Sequence, residues 1–178
     1  MQISEILPLY AQHPQVAGLA RLLAEGQPAL IHLQGLQASA APMVFASLTA
    51  RQQVVCRPFL IVLDDEEEAG YFYHDLTQML GEEQVFFYPS AYRRAVKYAQ
   101  RDAANEILRT DVLNRLSKQF DASRPLYIVS YPDALSERVA PPDSLKERTL
   151  HIEQGGSYDL SDLTHRLLEL GFVRKDYV

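Results

Sequence analysis

Residues 58–72, PFLIVLDDEEEAGYF, hold a predicted β-strand and the start of the helix that follows it. Positions 59–63 form a short run of apolar side chains, which is typical of a strand buried on both faces of a sheet. The run ends at Asp64 and Asp65, and either side chain suits the N-cap of a helix. The glutamates that follow complement the positive end of that helix's dipole. The stretch therefore predicts one strand–helix unit of an α/β fold.

Similar units recur through the first ~140 residues. Two short helices open the chain, and the second ends at Gly26. Apolar runs at positions 29–33, 84–90 and 125–130 predict three more strands, each with a helix further along the chain. Because alternating strands and helices are linked by short connections, the chain predicts a parallel sheet with helices on both faces.

The longest predicted helix covers about residues 102–120, with Asp102 as its cap. Apolar side chains recur along it at helical spacing and predict a stripe that packs on the sheet. The stripe consists of Ile107, Leu108, Val112, Leu113, Leu116 and Phe120.

A polar stretch with two prolines, APPDSLKER at positions 140–148, predicts a boundary between two modules. The first is residues 1–142, and the second, residues 143–178, is the beginning of a small α+β domain. We predict there a strand, a Gly-Gly turn, a capped helix that carries repeated leucines, and the start of another strand. Gly171 suits the left-handed residue after the helix, and Phe172 can pack back on the last turn. About 35 residues bury little core alone, so we expect this module to continue beyond Val178.

Composition and charge limit the function. The chain has 178 residues, a net charge of −6 and one cysteine. A single cysteine excludes an internal disulfide and fits a reducing cytosol, so we expect a cytoplasmic protein. There is no run of about 18 apolar residues that would span a membrane, and the N-terminus does not have the pattern of a secretory signal. The acidic balance argues against a domain whose main task is to coat nucleic acid.

The stretch IHLQGLQASAAPMVFASL, from position 31, has the layout of a phosphate-binding loop. In the pattern G-x-x-x-x-G-K-[ST], Gly35 takes the first place, but alanines and a proline replace the other defining residues. Ala40 is disfavoured at positive φ, and Ala41 has no ammonium group for the phosphates. Pro42 has neither a hydroxyl for Mg²⁺ nor an amide hydrogen. We therefore expect a degenerate loop that does not bind ATP tightly. Its residues are Gly35, Ser39, Ala40, Ala41 and Pro42.

The one local concentration of positive charge is AYRRAVKYAQR, positions 91–101. Cations alternate there with tyrosines, a combination that contacts single-stranded nucleic acid or its backbone. The alternative is a solvated loop whose arginines pair with nearby carboxylates. The residues concerned are Tyr92, Arg93, Arg94, Lys97, Tyr98 and Arg101.

The sequence contains no recognisable catalytic or metal-binding pattern. The five histidines are scattered without metal-ligand spacing, and Cys56 has no cysteine partner. Ser39, Ser90 and Ser130 do not have the surroundings of a nucleophile elbow. We therefore expect no catalytic residue, no metal site and no cofactor in this chain.

Four stretches carry a family resemblance: LQGLQASAAPMVFASL, RDAANEILRTDVLNRL, PLYIVSYPDALSERVAPP and LHIEQGGSYDLSDLTHRLLELGFVRKDYV. The last is the most specific, because it combines a G-x-x-[FY]-x-[LR] turn, a leucine-bearing helix and a G-[FY]-x-R exit. Together they resemble the N-terminal, UvrB-like region of the bacterial transcription-repair coupling factors, the Mfd family, over essentially the whole chain. The first stretch resembles a phosphate loop that is intact in UvrB and degenerate in Mfd.

The resemblance implies a degenerate P-loop domain of the helicase (RecA-like) type, followed by the start of an inserted domain that binds UvrA. It implies that the parent is an ATP-dependent DNA translocase, with ATP and Mg²⁺ in its motor domains, acting on stalled RNA polymerase and duplex DNA. Contacts with other domains of the parent would mask the UvrA surface. Arg174, in the exit motif, is the one position to which a UvrA contact is carried over, and the alternative is an exposed arginine at a strand edge.

The functional expectation is therefore a non-catalytic module that helps recruit UvrA in transcription-coupled nucleotide excision repair. UvrB has a tyrosine-rich hairpin that clamps damaged DNA. The corresponding stretch of this chain, YPSAYRRAVKYAQ, is too short for such a hairpin, so the resemblance does not imply damage recognition. Two alternatives stay open: a nucleic-acid-binding module that uses the basic-aromatic stretch, and a nucleotide hydrolase with a divergent loop.

Overall fold

The computed structural model describes residues 3–49, 57–92, 101–117, 125–139, 141, 144, 147 and 149–175. The chain divides into two compact units, Met1–Arg138 and Val139–Val178. The second unit contains a helix, α7 (Leu160–Glu169). The elements of the first unit are α1 (Ile3–Gln12), α2 (Pro14–Glu25), α3 (Ala40–Ser47), β1 (Pro58–Val62), α4 (Glu66–Leu80), β2 (Val85–Phe87), α5 (Ala103–Ser117), β3 (Leu126–Ser130) and α6 (Pro132–Ser136).

Three parallel strands form the sheet of the first unit, in the order β1-β3-β2. Parallel strands need crossover connections. Helix α4 leads from β1 to β2, the two outer strands, and packs against β2 and β3. As predicted, the Asp65 side chain caps this helix and accepts the Glu68 amide hydrogen at 2.9 Å. The predicted α/β class and parallel sheet are confirmed. The strand predicted at 59–63 begins and ends one residue earlier, and those predicted at 84–90 and 125–130 are present but shorter.

Aromatic side chains form the core on one face of the sheet. The rings of Phe59 in β1 and Tyr127 in β3 stack with centroids 4.9 Å apart. Phe45 of α3 meets Phe59 edge-on at 6.2 Å, and Phe72 of α4 meets Phe45 in the same way. The buried Tyr127 donates its hydroxyl hydrogen to the carbonyl oxygen of Phe45, 2.9 Å away. Helices α3 and α4 therefore cover this face.

The opposite face is covered by α5 over β2. The strand register places Leu60, Ile128 and Phe86 side by side on this face. The guanidinium of Arg115 lies 4.1 Å from the centroid of the Phe86 ring. Phe86 and Ile128 are buried, whereas Leu60 is 58% exposed. The prediction of helices on both faces is confirmed, but α5 leaves the outer side of β1 open.

The predicted strand at positions 29–33 is wrong, because no described residue of this segment belongs to a strand. A strand needs a neighbour for its amide and carbonyl groups, and the three strands of the sheet pair without this segment. Leu30 is fully exposed, whereas Ile31 packs against the core. Within this segment only Ile31 packs against the core, and Leu33 is 41% exposed.

The predicted apolar stripe of α5 is wrong in part. The helix occurs and Asp102 caps it, accepting the Ala104 amide hydrogen at 3.0 Å. Its buried residues are Arg109 and Val112, however, while Ile107 and Leu116 are 69% and 53% exposed. Arg109 can occupy the buried face because the Glu137 carboxylate and two backbone carbonyl oxygens pair with its guanidinium group. Phe120 lies outside the described residues.

Asp159 caps α7 by accepting the amide hydrogens of Ser161 and Asp162, and Gly171 follows the helix at φ +90°, both as predicted. The Phe172 amide returns to the Leu167 carbonyl at 3.0 Å, which completes a Schellman-type end. The two predicted strands, near positions 149–153 and after 171, are not strands in the described residues, where neither has a partner strand.

Among the described residues, no helix is both long and apolar enough to cross a membrane.

Candidate functional site

A buried arginine lies at the carboxyl ends of β2 and β3, the end of an open α/β sheet where ligands commonly bind. Arg109 of α5 is only 6% exposed. Its Nη1 donates to the carbonyl oxygens of Pro89, after β2, and Ala134, after β3, at 2.7 and 3.0 Å. The guanidinium also lies over the Tyr88 ring, 4.2 Å from the centroid. Arg109 therefore joins the two segments that leave the sheet.

Glu137 balances this buried charge. Its Oε2 lies 3.3 Å from Nη1 of Arg109. Its carboxylate also accepts the Ala91 amide hydrogen, at 3.1 Å from each oxygen, and the hydroxyl hydrogen of Ser90. A buried ion pair is tolerated only when further hydrogen bonds satisfy both groups, and that condition is met here. We call these four residues, Ser90, Ala91, Arg109 and Glu137, the clasp.

Backbone and side-chain bonds fix the surroundings of the clasp. The Tyr131 hydroxyl accepts the Ser90 amide hydrogen at 2.9 Å, and the Asn105 side chain donates to the Ser90 carbonyl at 2.8 Å. The Asp102 amide donates to the Ala91 carbonyl at 2.8 Å. Burial raises the pKa of the Tyr88 hydroxyl, and this effect outweighs the opposite influence of the Arg109 charge. The clasp is thus a largely buried polar cluster, and among the described residues no buried side-chain nitrogen or oxygen lacks a hydrogen-bond partner.

Tyr92 and Arg101, the described ends of the basic-aromatic stretch, contact each other beside the clasp. They form an isolated antiparallel bridge, and the Arg101 guanidinium lies 5.8 Å from the centroid of the Tyr92 ring. Arg101 also pairs with Glu106 at 2.8 Å. Hydrogen bonding to Tyr92 and the nearby Glu106 charge raise the pKa of Arg101. Arg93, Arg94, Lys97 and Tyr98 lie outside the described residues.

Sequence reasoning missed the clasp. The sequence pattern makes Ser90 a candidate only as a nucleophile, and it assigns no role to Arg109 or Glu137. One signal was available: Arg109 stands among the apolar residues of the predicted stripe, one position after Leu108. An arginine on the packed face of a helix needs a buried partner. The sequence around Arg109 does not show that this partner is Glu137, because Glu137 lies 28 positions further along the chain.

The stretch that has the layout of a phosphate loop forms an irregular turn that leads into α3. Gly35 has φ +79° and Ala38 has φ +47°, a left-handed conformation that is unfavourable for alanine. The Ser39 side chain makes no capping bond. The Ala40 amide already donates to the Gln37 carbonyl at 3.0 Å, and Pro42 has no amide hydrogen. The start of α3 therefore offers few free donors to a phosphate group.

A cavity of about 610 Å³ adjoins this turn. One wall is a face of α2, and the other is formed by positions 31–36, with Val44 of α3 at the base. No carboxylate, ammonium or guanidinium group lines the cavity, and His32 is its one titratable side chain. Its residues are Gln15, Val16, Gly18, Leu19, Leu22, Ile31, His32, Leu33, Gln34, Leu36 and Val44.

The structure does not bring the predicted site residues together as one site. Gly35, Ser39, Ala40, Ala41 and Pro42 are at the start of α3, Tyr92 and Arg101 lie beside the clasp, and Arg174 is an exposed residue of the second unit. Within the described ranges, no group of three or more histidine, cysteine, aspartate or glutamate side chains is placed to hold a metal ion.

Comparison with known proteins gives one informative similarity. The transcription-repair-coupling factor of Bacillus subtilis (strain 168) is 29% identical over 147 residues, which cover 82% of this chain and 12% of that protein. No protein-family model matches the chain, and no solved structure does so either. The chain thus spans about an eighth of the length of the curated relative it matches, and this low identity supports a distant relation to one region of such a protein.

Proposed function

We propose that this chain is a non-catalytic binding module of a transcription-repair coupling protein, and that it helps recruit UvrA. The observation that carries the proposal is the similarity to a transcription-repair-coupling factor over 82% of the chain. Relatedness to that protein points to transcription-coupled DNA repair as the process. Within this process, a module without a reacting group serves by binding.

The geometry of the phosphate-loop stretch supports a role in binding rather than in catalysis. Three features work against nucleotide hydrolysis: Ala41 supplies no ammonium group, Pro42 supplies no hydroxyl, and the Ala40 amide is already bonded to Gln37. The clasp, the most buried polar cluster of the first unit, is fully paired within the protein. A catalytic acid or base would need access to a substrate, and Glu137 is largely enclosed.

Exposed apolar side chains of the second unit support the proposal. No residue of α7 is buried, although Leu163 and Leu167 are partly covered. Leu160, Leu168 and Phe172 are 76%, 53% and 63% exposed. Exposed apolar clusters of this kind mark interaction surfaces. Arg174, two residues after Phe172 in the sequence, is exposed and carries a positive charge. We assign UvrA to this surface.

The activities of the whole parent protein are part of the same proposal. The parent would be an ATP-dependent DNA translocase that acts on stalled RNA polymerase and duplex DNA, with ATP and Mg²⁺ bound in motor domains elsewhere in its chain. Contacts with other parent domains would mask the UvrA surface until it is needed.

The test is a binding titration of purified UvrA against the 178-residue chain by biolayer interferometry. We expect saturable binding that weakens at least tenfold in Leu168→Asp and in Phe172→Asp. Leu9→Asp is the matched control. Leu9 is a leucine of α1 with a similar exposure, 59%, and its substitution should leave the affinity for UvrA unchanged. No binding by the unaltered chain, or equal losses in all three variants, would overturn the assignment.

The nucleic-acid alternative keeps a test of its own. If the basic-aromatic stretch binds the phosphate backbone, the unaltered chain should bind DNA with an affinity that falls steeply as salt is added. The double variant Arg93→Glu with Arg94→Glu should then abolish this binding. Under the recruitment proposal, the double variant binds UvrA like the unaltered chain.

A further inference from the structure

The cavity between α2 and positions 31–36 has the size and lining of a small-molecule site. Ligand pockets measure roughly 300–1,000 Å³ and are mainly apolar with a few polar groups, and this one measures about 610 Å³. Apolar walls come from both sides, with Val16 and Leu19 on α2 facing the segment of Ile31. The cavity lies wholly within the first unit.

Gly18 keeps the α2 wall open. A glycine in the interior of a helix costs about 1 kcal/mol relative to alanine, so it commonly has a packing or functional reason. Close packing is not that reason here, because a Cβ atom at Gly18 would meet no atom within 4 Å. Gly18 does line the cavity. A side chain at this position would occupy space that is now empty.

The polar groups of the cavity define the charge of its ligand. Gln15, His32 and Gln34 supply donors and acceptors, and no carboxylate, ammonium or guanidinium group lines the site. Side-chain amides pair with the edges of nitrogen heterocycles through one donor and one acceptor. Apolar walls accept the two faces of such a ring. A cationic ligand would meet no carboxylate here, and an anionic ligand would meet no ammonium or guanidinium group.

From these observations we propose that the cavity binds an uncharged nitrogen heterocycle of the nucleobase or nucleoside type. The rings contact the apolar walls, and the side-chain amides of Gln15 and Gln34 bond the heterocyclic edge. A phosphate group adds no affinity, because the adjacent turn at Ala40 and Pro42 offers neither a cation nor free donors. This site is separate from the protein-binding surface of the second unit and does not depend on UvrA recruitment.

The test is a calorimetric titration of the 178-residue chain with adenosine, guanosine and uridine, and with Mg²⁺–ATP. We expect at least one nucleoside to bind, and ATP to bind within about threefold of adenosine. Gly18→Leu should weaken nucleoside binding at least tenfold while raising the melting temperature, because leucine favours a helix over glycine. Gln34→Ala should weaken binding about fivefold, by removing one edge contact without disturbing the fold.

Gly70→Leu is the matched control. Gly70 is also inside a helix, α4, with no atom within 4 Å of an added Cβ, but it does not line the cavity. It should stabilise the chain and leave nucleoside binding unchanged. Four results would each overturn the proposal: no nucleoside binds, Gly18→Leu binds normally, Gln34→Ala has no effect, or ATP binds more than tenfold tighter than adenosine.

Discussion

Two turns of the first unit differ sharply in how their polar groups are satisfied. The segment after β2 is held by the clasp, in which Arg109 and Glu137 bond to both segments that leave the sheet. The turn before α3 has no comparable support: Ser39 makes no capping bond and Ala38 takes an unfavourable left-handed conformation. Both turns precede a helix. Buried charges hold the segment after β2, whereas no side-chain capping bond from Ser39 supports the turn before α3.

The two turns therefore differ in whether their polar groups stabilise the fold. At the clasp, polar groups stabilise the architecture and have no capacity left for a ligand. At the turn before α3, Ala41 and Pro42 supply neither an ammonium group nor a hydroxyl, and the Ala40 amide is bonded to Gln37. The buried polar groups of the clasp therefore serve structure. The following variants test that comparison.

Arg109→Met should have the largest effect on stability. It leaves the Glu137 carboxylate without its cationic partner, and breaking a buried ion pair from one side costs about 3 kcal/mol or more. We expect a decrease of about this size in the free energy of unfolding, measured by urea denaturation. Asp111→Asn is the control, because it removes an exposed i,i+4 pair with Arg115 and should cost no more than about 0.5 kcal/mol. Equal effects of the two variants would show that the clasp does not stabilise the fold.

Glu137→Gln should destabilise less, by about 2 kcal/mol, since the amide oxygen still accepts one bond while the amide NH₂ faces donors of the clasp. The urea midpoint again measures this. Glu106→Gln is its control, as Glu106 makes the solvent-exposed pair with Arg101, and its midpoint should match that of the unaltered chain. A silent Glu137→Gln would mean that the negative charge is dispensable.

Ala38→Gly should stabilise the chain by about 0.5–1 kcal/mol, because glycine removes the strain at positive φ. Ala20→Gly, in the middle of α2, should have the opposite sign and cost about 1 kcal/mol. Thermal melting of both variants compares them directly. A lower melting temperature for Ala38→Gly would indicate that the turn before α3 is not strained.

Tyr88→Phe should have the smallest effect, visible only at alkaline pH. Burial raises the folded-state pKa of Tyr88 above 10.0, so its contribution is complete below the unfolded-state pKa and is lost as pH rises through the folded-state pKa. Stability of the unaltered chain should therefore fall more steeply above about pH 10 than that of Tyr88→Phe. Parallel slopes in urea titrations across this range would contradict the assignment.

Sequence patterns predicted the fold where local signals and pairing agree. The strand at β1 and the cap at Asp65 are encoded by adjacent residues and were predicted correctly. The strand at positions 29–33 was not, because apolar composition cannot say whether a partner strand is present. The clasp was missed for a related reason: Arg109 and Glu137 are 28 positions apart in the sequence, and only the folded chain brings them together.

The turn before α3 offers a nucleotide phosphate neither an ammonium group, at Ala41, nor a hydroxyl, at Pro42. The most direct measurement is calorimetry with Mg²⁺ and ATP or ADP on this chain and on the variant Ala40→Gly with Ala41→Lys and Pro42→Thr, together with an assay for released phosphate. We predict that Mg²⁺ adds nothing to any binding by the unaltered chain and that no phosphate is released, while the variant reports whether the backbone still accommodates phosphates. Micromolar, Mg²⁺-dependent ATP binding or hydrolysis by the unaltered chain would contradict the account.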